Sequence, residues 1–235
     1  MVHRVQLGYT MMEQNTFVDR FFHSSCELTD FRKTGERDIN TLFSFLNNLH
    51  SLQDRVREQF GKTISQHPEF KLLRIIRNYH HHVGDVDEFR VFNTRNEFSF
   101  SHSEMIIIPL FVVAKAIVNA KKRPIGEKEI KAISEFIDNF EHISERDSFF
   151  SEERHLINKG KKYYPGFDIY KCVYNITNII ADICRDIPEL SIKECITTLD
   201  ETYTSANNID KLNLFCHAGE VPFLTTEGYI IISQN

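Results

Sequence analysis

Segment after segment of this chain repeats its apolar residues at helical intervals, and that periodicity limits the fold more than any other feature. Ile39, Leu42, Leu46, Leu49, Val56 and Phe60 recur at spacings of three, four and seven, which is one face of a helix. The spacing predicts a helix from about Asp38 to Phe60, with Asp38 as N-cap and Gly61 as stop. Pro68 suits the first turn of a second helix, with Phe70, Leu72, Leu73, Ile75, Ile76 and Tyr79 as its apolar positions and an end near Gly84. The short connection between these two predicts an antiparallel pair. Ser103 or Glu104 opens an apolar helix to about Ala120, in which Pro109 introduces a kink or postpones the start. Glu127 to Ile143 reads as an amphipathic helix carrying Ile130, Ile133, Phe136, Ile137 and Phe140 on one side. Phe167 to Ile187 is another, with Ile169, Cys172, Val173, Ile176, Ile179, Ile180 and Ile183 as its stripe. Pro188 starts a further helix through Leu199, and Phe17, Val18, Phe21 and Phe22 suggest one that packs near the N-terminus.

Strand signals are sparse. Phe89, Val91, Phe98 and Phe100 alternate as a short hairpin would, and Tyr229-Ile230-Ile231-Ile232 is strand-like. The expected fold is therefore all-α, a bundle of five to seven helices with a short β-hairpin and a minor C-terminal strand. A single domain over 1–235 is expected, with its core at about 36–187 and a C-terminal extension at 188–235.

Composition narrows the function classes. Trp is absent and Phe occurs 20 times, so Phe, Ile and Leu must build the core. The longest apolar run, from Met105 to Ala114, is shorter than the ~18–20 residues that span a bilayer. The first residues, with His3 and Arg4 and no apolar stretch, carry no leader pattern, and a cytoplasmic location is expected. Cys26, Cys172, Cys184, Cys195 and Cys216 are odd in number and include no C-x-x-C pair, which predicts reduced thiols in place of a disulfide framework or zinc ribbon. A net charge of −5 gives the whole chain no general affinity for nucleic acid. Any positive potential must be local, as at Lys121-Lys122-Arg123 or Lys159-Gly160-Lys161-Lys162.

One hexapeptide carries chemistry. Arg77-Asn78-Tyr79-His80-His81-His82 puts a guanidinium, an amide and an imidazole within one and a half helical turns. Asn78 and His82 are four apart and share a face, while Arg77 precedes Asn78 by ~100° of rotation and reaches around with a long side chain. Those groups are what a metal-free ribonuclease needs around one phosphodiester. Near a helix C-terminus the partly negative carbonyls also favour a protonated imidazole.

The hexapeptide resembles the R-x(4–6)-H motif of the HEPN superfamily (higher eukaryotes and prokaryotes nucleotide-binding), in the form R-N-x-x-x-H also found in RNA-targeting CRISPR effectors. The resemblance covers the motif and, loosely, the helices at 36–187. It implies a helical bundle whose motif faces a second copy across a homodimer, so that two motifs make one composite RNA-cleaving site. Arg77 would hold the scissile phosphate and stabilise its added charge, since a guanidinium matches two phosphate oxygens at once. His82 would move a proton at the ribose 2′-hydroxyl or the leaving 5′-oxygen, and Asn78 would orient the His or the phosphate. No metal and no cofactor would be required, and DNA would not be cut. A toxin or antiviral defence effector, with an inhibitory or activating protein partner, is the setting implied. Toxins of the family paired with nucleotidyltransferases often carry a Tyr two residues after the motif His. Here Gly84 stands there, so control by AMP transfer is not implied.

Other candidates are weaker. The histidines His80, His81 and His82, with His67 upstream, do not make a zinc site, because adjacent helical residues point ~100° apart. Arg95-Asn96 with His102 repeats the pattern in a stretch read as loop or strand. Cys216-His217 is adjacent in sequence only. Walker, dinucleotide, serine-hydrolase and H-E-x-x-H patterns are missing. The alternative to a ribonuclease is a non-catalytic helical interaction protein or regulatory subunit of a larger assembly.

Overall fold

The computed structural model describes residues 15–30, 32, 37–38, 40–92, 104–124, 126–137, 140–144, 151–158, 160–209, 221–226 and 228–232. The chain is mainly helical. Five longer helices make the body: α1 (Thr16–Leu28), α2 (Thr41–Phe60), α3 (Pro68–His82), α4 (Leu110–Lys121) and α7 (Tyr170–Asp186). Shorter ones fill between and after them: α5 (Gly126–Ser134), α6 (Phe140–Ser144), α8 (Pro188–Ser191) and α9 (Glu194–Thr197). No helix among the described residues is long and apolar enough to cross a membrane.

Helix α3 is at the centre, in contact with α2, α4, α5 and α7. Its buried stripe, Phe70, Leu72, Leu73, Ile75, Ile76 and Tyr79, is the one its periodicity predicts. Pro68 opens it at the first turn, where a missing N–H costs nothing. Val83 closes it by donating its backbone N–H to the Tyr79 carbonyl at 2.8 Å. Helix α2 ends at Gly61, whose φ of +66° a side chain would strain. Its N-terminus differs from expectation. Asp38 is not the cap but lies in strand β1 (Arg37–Asp38), and Asn40 precedes the helix. Phe17, Val18, Phe21 and Phe22 of α1 are buried as expected, and the Phe21 ring meets the Phe45 ring of α2 at 5.7 Å between centroids.

The fold is mainly helical as expected, but the sheet is larger than the expected hairpin. Strands β1, β2 (Glu88–Phe92), β3 (Glu104–Pro109) and β6 (Gly166–Asp168) form one antiparallel sheet in the order β1-β2-β3-β6. Phe89 pairs with Ile107 and Val91 with Met105, while Phe98 and Phe100 lie outside the described residues. Met105 to Ile108, expected at the start of a helix, are strand, and Pro109 postpones helix α4 to Leu110. All four of those residues are buried, as in a strand covered on both faces, and such a run has no period that separates it from a buried helix.

The helix expected from Phe167 begins three residues later for a similar reason. Asp168 ends β6, and its Oδ1 accepts the Ile106 N–H at 3.1 Å and the Tyr170 N–H at 2.9 Å. One carboxylate thus fastens the sheet and caps the start of α7. Gly166 in β6 has no room for a side chain, because a Cβ there would sit 2.5 Å from Ile107 Cγ2 and 2.8 Å from the Thr225 carbonyl carbon.

Two other expected helices are interrupted. The one over 127–143 stops at Ser134, whose hydroxyl donates back to the Lys131 carbonyl at 2.7 Å, and helix resumes at Phe140. The one over 188–199 is two single turns, α8 and α9, broken at Ile192 and Lys193. The polar stretch after Ser144 includes a hairpin of β4 (Leu156–Asn158) and β5 (Lys161–Tyr163). The C-terminal strand is present as β8 (Gly228–Ile232), paired with β7 (Val221–Thr225).

Candidate functional site

The hexapeptide forms the last turn and a half of α3, and its side chains run along α2. Helix α2 meets it with Phe43, Asn47, His50 and Asp54, at spacings of four, three and four, a single stripe beside the buried apolar one. The two rows interlock. The Phe43 ring stacks on His80 at 4.7 Å between centroids and 30° between planes, and faces His81 at 5.5 Å. One turn further along, Arg77 Nε donates to Asn47 Oδ1 at 3.1 Å, and His81 Nε2 meets the same oxygen at 3.1 Å.

That shared oxygen fixes a proton. Arg77 Nε can only donate, so the Asn47 amide must turn its oxygen toward it. An amide oxygen can only accept, so His81 must carry its hydrogen on Nε2. In the neutral ring, Nδ1 is then the basic atom, and His81 is exposed to solvent. Its desolvation and the charges of Arg77, His80 and His82 hold it below the ordinary imidazole pKa. Neutral His81 therefore persists to lower pH than a free imidazole would. Burial also lowers Arg77 from its ordinary value, with Asp54 acting in the opposite sense, and a guanidinium remains charged throughout the physiological range.

His50 is the next member of the stripe. Its side chain is 32% exposed, and its Nε2 is 4.0 Å from the Asp54 carboxylate, which also accepts from Arg57 at 3.3 Å. Its Nδ1 is buried with no hydrogen-bond partner among the described residues. Burial, then Arg77, Arg74 and Arg57, lower its pKa, and Asp54 works against them. His67, at the foot of α3, is also lowered, chiefly by burial. Both rings are thus held toward the neutral form by folding, so the unfolded chain binds more protons below the ordinary imidazole range. Stability is full above a pH of about 6.5 and declines as pH falls through that value toward the lowered folded-state pKa values. Thermal melts across that range should show the midpoint falling with pH, and His50→Gln should flatten the dependence.

Of the residues expected from sequence, Arg77 is half-buried in the seam, Asn78 is half-buried beside it, and His82 is exposed. The His82 ring is 6.2 Å from that of His81. The amide that engages Arg77 is Asn47, and the imidazole joined to it is His81, four residues along the helix. Asn47, His50 and Asp54 were not legible as site residues. Their helical spacing is visible in the sequence, but which helix they would face is not.

Positive charge continues beyond the seam. Arg74 pairs with Glu129 of α5, and its guanidinium lies 5.5 Å from the Phe70 ring centroid. Burial and the repulsion of Arg123 lower its pKa, which places the end of the Lys121-Lys122-Arg123 cluster within electrostatic reach. Within that cluster Lys121 donates to the Ser144 carbonyl at 2.6 Å, while Lys122 and Arg123 are exposed. Arg95, Asn96, His102, Cys216 and His217 lie outside the described residues. Among the described residues no three His, Cys, Asp or Glu side chains converge as metal ligands would. The chain matches no protein-family model, no curated protein and no solved structure.

Proposed function

We propose that this chain is a metal-independent endoribonuclease of HEPN type, cleaving RNA by attack of the ribose 2′-hydroxyl on the adjacent phosphate. The observation that carries the reading is the pair of hydrogen bonds through which Asn47 holds the Arg77 guanidinium and the His81 imidazole side by side. Arg77 would bind two oxygens of the scissile phosphate and offset the charge that grows there in the transition state. Nδ1 of His81, free in the tautomer described, would accept the 2′-hydroxyl proton. Exposed Arg123, within electrostatic reach of Arg74, extends the positive potential that a polyanion follows, despite the acidic balance of the whole chain. By resemblance, two chains would pair and a partner protein would restrain or trigger a toxin or defence effector.

The test is cleavage of a single-stranded RNA by purified protein in excess chelator, with the ends analysed. Products ending in a 2′,3′-cyclic phosphate, and an intact all-deoxy analogue, are expected. His81→Ala should slow cleavage by roughly 10²- to 10⁴-fold, the usual contribution of a positioned proton-transfer group. His82→Ala should cost far less. The reverse ranking would return the proton-transfer role to His82, the residue at the motif spacing. Undiminished cleavage by both variants would remove His81 and His82 from the mechanism. With His81 as base the rate should fall as pH drops through its lowered pKa, an acid limb displaced below that of free imidazole.

A further inference from the structure

We propose that His50 is the general acid of the same site, delivering a proton to the leaving 5′-oxygen while His81 takes one from the 2′-hydroxyl. The assignment rests on the ribonuclease reading and adds to it a residue from another helix. Three observations point to it. His50 is one helical turn from Asn47, on the same face of α2, so it flanks the Arg77 guanidinium on the side away from His81. It is half-buried: its Nδ1 is enclosed in the protein with no partner among the described residues, so Nε2 is the nitrogen that can meet a ligand. Its Nε2 lies 4.0 Å from the Asp54 carboxylate, whose charge favours an imidazolium. The charges that act on His81, those of Arg77, His80 and His82, all lower its proton affinity. The two rings thus differ in one respect: His50 has a carboxylate that favours its charged form and His81 has none acting on it.

The charged groups facing His50 are Asp54 and Arg57 of α2 and Arg74 and Arg77 of α3. Burial, then these arginines, hold the His50 pKa down; a bound phosphate would offset the repulsion from the two α3 arginines and leave the attraction of Asp54, so the proton affinity of His50 rises as substrate binds. The step then balances. The 2′-oxygen bonds to phosphorus and its proton passes to Nδ1 of His81. The bond from phosphorus to the 5′-oxygen breaks, and that oxygen takes the proton from His50. Nothing is oxidised or reduced. The products are a 2′,3′-cyclic phosphate and a 5′-hydroxyl, and the two rings exchange their protons with water before the next turnover.

A leaving group that needs no proton isolates the role. Wild type, His50→Gln, His50→Asn and His81→Ala are compared on an RNA dinucleotide and on a nucleoside 3′-(para-nitrophenyl phosphate), both in chelator. The His50 variants should lose roughly 10²- to 10³-fold on RNA and little on the nitrophenyl ester, because nitrophenolate leaves without protonation. His81→Ala should lose on both. The His50 variants should also lose the alkaline limb of the pH profile on RNA. Equal loss on both substrates by folded His50 variants overturns the assignment, and so does the absence of any loss. Cleavage of neither substrate by wild type would instead bring down the ribonuclease reading itself, and the assignment with it. Wild-type ring resonances titrated with inorganic phosphate give a readout apart from turnover. The pKa of His50 should rise on binding, and an unmoved His50 counts against the assignment.

Discussion

Arg77→Ala is expected to lower RNA cleavage by roughly 10²- to 10³-fold or more, as loss of a preorganised group that stabilises transition-state charge does. The loss should appear in kcat as well as in KM, since the phosphate gains charge as it becomes five-coordinate. Arg77→Lys should recover little. Lysine restores the positive charge but not the planar fork, nor the Nε donor that Asn47 accepts. The fold should survive either change, because Arg77 is half-buried at the edge of α3 and makes none of the core contacts of Phe70, Leu73 and Ile76. Circular dichroism with a denaturant melt separates the two effects. Wild-type rates in a folded Arg77→Ala protein would remove the guanidinium from the mechanism.

Phe45→Ala should do the opposite, weakening the fold without removing a group of the site. Phe45 is fully buried on α2 and its ring packs on Phe21, joining α1 to the body. Deleting a buried Phe typically costs about 3–5 kcal/mol in lost transfer energy and residual cavity. Against a total stability of about 5–15 kcal/mol, that removes a large share of the margin at 25 °C. Urea titration should show the midpoint falling steeply with its slope little changed. A small shift would mean that α1 contributes little to holding α2 in place.

The helices were legible where local chemistry and burial agree. Pro68, the stripe through Tyr79 and the histidine triplet mark α3 from end to end, and Gly61 marks the end of α2. The strand at Met105–Ile108 was not legible, because a run buried on both faces carries no alternation. The broken helices after Ser134 and Ser191 follow from tertiary fit and one local hydroxyl, which outweigh a favourable apolar spacing. Within the site, Arg77 and the histidines were legible as residue types. The partner of Arg77 was not, since Asn47 comes from a helix whose rotation against α3 only packing decides. Arg77 and His82 are five residues apart, ~140° around a helix, whereas His81 is only ~40° away.

The neutrality of the Asn47 amide has a consequence for how ready the seam is. A carboxylate in its place would hold the guanidinium just as firmly but would cancel it, and an incoming polyanion would have to displace a bound counterion first. An uncharged tether keeps the arm pointed and leaves its full charge unspent until a nucleotide arrives.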